Sequence, residues 1–153
     1  MSLESPSLAM AQAYIYAIDF SMIIEKMVKQ DGWRQKDAEA TCSFYRNFLY
    51  LNKKYANGQV LPPSVEVDEF WHYHILDTQK YLQDCDRIFG YYFHHYPYLV
   101  LDHNLNQQGL DLAFEQTQVL HQQEFGEPMY STRSKFAVLR QNFRTMAKSL
   151  IKV

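Results

Sequence analysis

The sequence predicts an all-α fold, a single-domain bundle of about five helices around a central apolar first helix. Three observations predict it. Glycine falls only at positions 32, 58, 90, 109 and 126, and the stretches between are of helix length with few β-branched runs, as expected for helices closed by left-handed glycine caps. Apolar residues within those stretches recur every three or four positions. With 153 residues, 47% of them hydrophobic and 16% aromatic, the chain can build one core, and five Gly with five Pro argue against disorder. The domain is expected to span residues 1–153.

The first helix is expected from Ser7 or Leu8 to Gln30, apolar nearly all round near its middle, as a central helix would be. The second, from Gln35 to Tyr55, gathers Ala38, Cys42, Tyr45, Phe48 and Leu49 on one side. The third opens after Pro62-Pro63, with Ser64 as N-cap and Glu66, Asp68 and Glu69 complementing the helix dipole, and runs towards Gly90. The fourth, from Leu110 to Phe125, aligns Leu110, Ala113, Phe114, Thr117 and Phe125, and the last, from Thr132 to Lys152, aligns Phe136, Leu139, Phe143, Met146, Ala147 and Leu150. "YLVL" at 98–101 is the one strand candidate and is too short to build a sheet.

Charge is unevenly distributed. Residues 1–130 hold all 17 acids and nine bases, whereas 131–153 hold six bases and no acid, a segment of +6 on a body of -8. Within it Arg140, Arg144, Lys148 and Lys152 step by four and form a cationic ridge, a candidate anion-binding surface. The aromatics of that helix fall on its other side and offer no base-stacking platform, so nucleic acid is not the expected partner. Two cysteines without a CxxC pair suggest a reducing compartment. The apolar run from Leu8 to Ile24 follows Glu4 rather than a basic segment and is interrupted by Gln12, Asp19 and Ser21, so a buried helix is expected in place of a signal or membrane span. Cytoplasm is the default compartment, although a dedicated export machine would leave no mark here.

"VDEFWHYHILDTQKY" carries the densest set of chemically capable residues. At about 100° per residue, Val67, Phe70, Trp71, His74, Ile75, Thr78, Tyr81, Leu82, Cys85, Ile88 and Phe89 share an arc of about 140°, while His72 falls on the opposite side with Asp68. The two histidines therefore cannot chelate one ion together. Asp68 and His72, at i and i+4, can share a metal, or the carboxylate can orient the ring. His94 and His95, adjacent in "HHYP", point apart in any regular conformation, so one of them at most completes the set. Asp68, His72, His94 and His95 are thus the candidate ligands of a transition metal such as Zn, with Asp102 and His103 as further donors. Trp71, His74, Thr78, Tyr81 and Cys85 are read as buried support, and His74 should bond the hydroxyl of Tyr45, Tyr81 or Thr78. His121 is assigned to the core.

From Tyr45 to Pro97 the chain resembles the glycine-rich domain-containing protein-like family. The residues that carry the resemblance are Val67-Asp68, Trp71-His72 with His74, Thr78 with Tyr81, Asp84-Cys85, Phe89-Gly90, and His94-His95 with Pro97. What it implies is a helical domain, with no reaction, substrate or ligand attached. The glycine-rich tail of that family's plant members is absent from this chain.

No nucleophile, phosphate loop or complete ligand set can be assembled from spacing alone. The expected function is that of a small soluble helical domain acting as a partner-binding or accessory module, with a protein as partner. The second expectation is a metal-dependent hydrolase or oxygenase using Asp68, His72 and one histidine of 94–95. The third is an anionic-surface binder working through the last helix.

Overall fold

A computed structural model describes residues 4–98 and 106–129. Among them there are six helices and no strand: α1 (Leu8–Ala17), α2 (Ser21–Asp31), α3 (Gln35–Tyr55), α4 (Val65–Leu76), α5 (Thr78–Phe89) and α6 (Gln107–Phe125). One hydrophobic core, reaching from Ala11 to Met129, joins them into a single domain. The all-α single-domain fold is the expected one; the last expected helix, 132–152, lies outside the described residues, and among the described ones two expected helices are divided and the centre differs.

Two predicted helices are each divided. The first breaks at Ile18–Phe20 into α1 and α2. Arg46 of α3 donates to the carbonyl oxygens of Ile15 and Ile18, the second at 2.7 Å, and so satisfies acceptors that the end of a helix leaves open. Asp19 takes the Ser21 N–H at 2.9 Å and starts the next helix. The third predicted helix breaks at Asp77, whose backbone (φ -81°, ψ 71°) leaves the helical region. In a continuous helix, residues ten apart lie about 15 Å apart along the axis. With the break, α5 folds back on α4, and His74 meets Asp84 while Trp71 meets Tyr81.

The centre of the bundle is α3, not the first helix. It packs against α1, α2, α4 and α6, and its Ala38, Thr41, Tyr45, Phe48 and Leu51 are wholly buried. Each large apolar side chain buried there contributes roughly 1.5–3 kcal/mol of transfer free energy. The first helix fails as a centre because it is apolar on sides that face solvent: Met10 and Met22 are 66% and 73% exposed. No single helix among the described residues is long and apolar enough to cross a membrane; α1 and α2 would qualify only as a pair, and they are bent by 46°.

The caps follow the sequence more closely. Ser7, Ser64 and Asn106 accept the N–H of the third residue of α1, α4 and α6 respectively. Gly90 ends α5 at φ +76°, a conformation that favours glycine, and a Cβ there would stand 3.1 Å from Pro6 Cδ, so glycine lets the N-terminal segment lie close against the end of α5 without displacement. Ser5 uses that approach to donate to the Phe89 carbonyl at 2.9 Å. Gly109 instead sits in the first turn of α6, which begins earlier than periodicity indicates because Asn106 caps it.

His121 fastens α6 to α3, and its tautomer is fixed by its neighbours. The Tyr16 hydroxyl donates to Asn47 Oδ1 (2.7 Å), which turns the Asn47 amide N–H towards His121 Nε2 (3.1 Å). The proton therefore sits on Nδ1, which donates to the Glu127 carbonyl (2.6 Å).

Candidate metal centre

Asp68 and His72 sit one turn apart on α4 and face the loop that follows α5. In that loop the side chains alternate as in an extended chain: Phe93 is buried, His94 is exposed, and His95 turns back towards α4. His95 lies against the Trp71 indole with ring centroids 4.4 Å apart. Its Nε2 is 2.8 Å from Asp68 Oδ1 and 2.9 Å from His72 Nε2, and His72 Nε2 is 3.4 Å from Asp68 Oδ2. Asp68, His72 and His95 thus present three potential ligand atoms that all lie within 4.8 Å of one another.

Two features of this geometry bear on its chemistry. Donors at about 2.1 Å from a common ion are about 3.0–3.4 Å apart at octahedral or tetrahedral angles; the two imidazole nitrogens are 2.9 Å apart, and they face different oxygens of the Asp68 carboxylate, at 2.8 Å (Oδ1 to His95) and 3.4 Å (Oδ2 to His72), all near that spacing. Protons satisfy the three atoms poorly. If both Nε2 atoms carry hydrogen, His95 can donate to Asp68 Oδ1 at 2.8 Å but His72 has only Oδ2, at 3.4 Å, while the two nitrogens stand 2.9 Å apart; if one does, a single hydrogen is divided between a carboxylate and an imidazole. A cation at the centre would take all three lone pairs. The His72 side chain is 54% exposed and that of Asp68 37%, so solvent reaches the same point.

Behind Trp71 lies a second histidine–carboxylate pair of different character. His74 is 1% exposed and Asp84 2%. Tyr45 donates to His74 Nδ1 (2.8 Å), His74 Nε2–H donates to Asp84 Oδ2 (2.8 Å), Tyr14 donates to Asp84 Oδ1 (2.6 Å), and Lys80 lies 3.3 Å from Oδ2. Burial lowers the His74 pKa against the pull of Asp84. For Asp84 burial acts upward, but the hydrogen bonds from His74 and Tyr14 outweigh it and the carboxyl ends below its ordinary value. The pair is a neutral imidazole on a carboxylate whose charge Lys80 balances.

The predicted site residues are therefore distributed unevenly. Asp68, His72 and His95 converge; His94 does not join them and packs against Tyr92 instead, with ring centroids 4.8 Å apart. Trp71, His74, Tyr81 and Cys85 are buried. Thr78 is exposed, and so is Leu82, because the break at Asp77 resets the helical phase and turns Asp84 inward in their place. His74 bonds Tyr45, one of the three hydroxyls expected, and also Asp84, which the unbroken phase had left outside the buried stripe. Tyr14 and Arg46 were not singled out by spacing, since each acts across the bundle. Arg140, Arg144, Lys148 and Lys152, like Asp102 and His103, lie outside the described residues.

A protein-family model, UCP032817-like, matches residues 10–144, most of the chain. The chain belongs to the UCP032817-like family. This corrects the resemblance to the glycine-rich domain-containing protein-like family. That resemblance rested on residues 45–97, and half of the residues that carried it, Trp71, His74, Tyr81, Cys85 and Phe89 among them, are buried. The UCP032817-like match takes in nearly all of α1 together with α2 and α6, which the resemblance left out. The description of the UCP032817-like family names no activity. No curated protein and no solved structure matched the chain.

Proposed function

We propose that this UCP032817-like protein binds one transition-metal ion through Asp68, His72 and His95 and works through the coordination positions those ligands leave free. The observation that carries the reading is the convergence of two imidazole nitrogens and a carboxylate at coordination spacing on a solvent-reached face. Structural zinc sites are usually closed by four protein ligands, whereas sites that do chemistry keep a position for water or substrate. Bound zinc would supply an activated water for hydrolysis; the same two-histidine, one-carboxylate set suits iron and oxygen-dependent chemistry. Asp68 and His72 hold their spacing on a helix, and the loop brings His95 to them.

Untagged protein, loaded in turn with zinc, iron(II), manganese, nickel and copper and then desalted, tests this by metal analysis. About one equivalent of one metal is expected, lost in His72→Ala and in His95→Ala and kept in His94→Ala. No retained metal under any loading condition would sink the reading.

A second reading, partner binding, is supported by the exposure of Tyr91, Tyr92, Tyr96 and Tyr98 beside the same loop, since tyrosine is enriched where proteins meet. A Tyr96→Ala/Tyr98→Ala variant that keeps its metal but loses a bound partner would separate the two. A cytoplasmic setting fits the two buried free thiols, Cys42 and Cys85.

A further inference from the structure

The structure assigns Tyr81 as the positioning residue of the Asp68–His72–His95 centre: its hydroxyl sets where the His95 loop lies against α4. This inference rests on the metal reading above. Asp68 and His72 belong to a helix and keep their spacing without help, but His95 belongs to a loop with no ladder of its own, so something must hold it to the fraction of an ångström that coordination requires.

The Tyr81 hydroxyl is buried and both accepts and donates a hydrogen bond. It accepts from Trp71 Nε1 at 2.9 Å and donates to the Phe93 carbonyl. Trp71 lies between the two metal-facing residues of α4 in sequence, and Phe93 lies two residues before His95. One oxygen atom therefore joins the ligand-bearing helix to the ligand-bearing loop. The Cys85 thiol faces the Phe93 backbone N–H, so the peptide groups on both sides of Phe93 are held from α5. The rings continue the link: Phe93 stacks on Trp71 at 5.0 Å with 19° between planes, and His95 lies against Trp71 at 4.4 Å. His95 is thus set upon an indole that Tyr81 orients, from a backbone that Tyr81 anchors. Packing alone would require a ring at position 81; the hydroxyl satisfies two buried polar groups as well, so the positioning role is read from metal affinity and coordination geometry and not from stability.

Cobalt(II) titration of untagged protein, followed by its visible absorption bands, reads both affinity and coordination geometry. Tyr81→Phe should bind about 10- to 100-fold more weakly, the usual cost of losing a group that orients metal ligands, with altered bands. Tyr45→Phe is the control, because it removes an equally buried hydroxyl that bonds His74 and touches neither the loop nor the ligands. It should keep wild-type affinity. Equal affinity of Tyr81→Phe and wild type overturns the assignment, and so does an equal loss in both variants, which would mean general loosening of the core. If Tyr81→Phe does not fold, Trp71→Phe takes its place: it keeps a ring beneath His95 but removes the donor that aims the hydroxyl, and unchanged affinity there overturns the assignment as well. If wild-type protein takes up no cobalt, the metal reading falls by itself. The His95 ring signals in NMR spectra of the metal-free proteins then decide the role of Tyr81: a shift in Tyr81→Phe and not in Tyr45→Phe upholds it, and unchanged signals overturn it.

Discussion

Trp71 separates two histidine–carboxylate clusters built from the same residue types. On one side His74 and Asp84 are almost wholly buried and fully supplied: Tyr45, Tyr14 and Lys80 occupy the remaining positions around them. On the other side Asp68, His72 and His95 are partly exposed and have more lone pairs converging than protons to fill them. The difference teaches that composition does not decide whether a histidine is structural or available for chemistry. A buried imidazole must have each nitrogen satisfied, since an unpaired buried polar group costs about 1–3 kcal/mol, and once satisfied it has nothing left to offer a ligand. An imidazole at the surface can leave a lone pair to water, and can give it to a metal.

Substitutions can break this contrast from the strong end downward. Trp71→Ala should destabilise by roughly 3–5 kcal/mol, because the indole is 2% exposed and contacts Phe48, Phe93 and His95; urea unfolding measures it, and a loss below about 1 kcal/mol would contradict its place in the core. Asp84→Asn should cost about 1.5–3 kcal/mol, as it removes the charge that both His74 and Lys80 address. An effect near zero would show that the buried network contributes no more than apolar packing does. His72→Ala should change stability by about 0.5 kcal/mol or less, as befits an exposed surface position, while abolishing metal retention. Were it to destabilise the fold as Asp84→Asn does, the two clusters would both be structural and the contrast would fail.

Acid offers a gentler probe where α6 meets α3. Burial lowers the His121 pKa below its ordinary value. The unfolded chain therefore binds the proton first as pH falls below about 6.5, and stability declines from there down to the depressed folded value. Thermal unfolding between pH 7 and 5 should show this decline, and His121→Gln should reduce its slope, the buried His74 supplying a decline of the same sign. An identical pH profile in the variant would remove His121 as the cause.

Much of the fold is legible in local chemistry. The caps at Ser64 and Gly90 and the apolar faces of α3 and α4 arise from short-range rules that residues within a few positions satisfy by themselves. Asp68 and His72 were legible for the same reason, since a helix sets residues four apart on one face. The two breaks were not. At Ile18–Phe20 the freed carbonyls are taken by Arg46 from another helix, and no local pattern signals that. At Asp77 the apolar stripe continues through the break, so periodicity supports an unbroken helix and misplaces Thr78, Leu82 and Asp84 together.

The sequence by itself determined that this chain is helical, that His72 and His74 part company, and that only one of two adjacent histidines can join Asp68, because those are consequences of backbone geometry within one element. Which histidine joins, and which carboxylate His74 finds, only the tertiary structure decided. Residues 23 and 27 positions apart meet at the Asp68–His72–His95 centre, and His74 and Asp84 meet across a turn. Contacts of that kind depend on where one element returns against another, which is set by the whole core and by a single hydroxyl such as that of Tyr81.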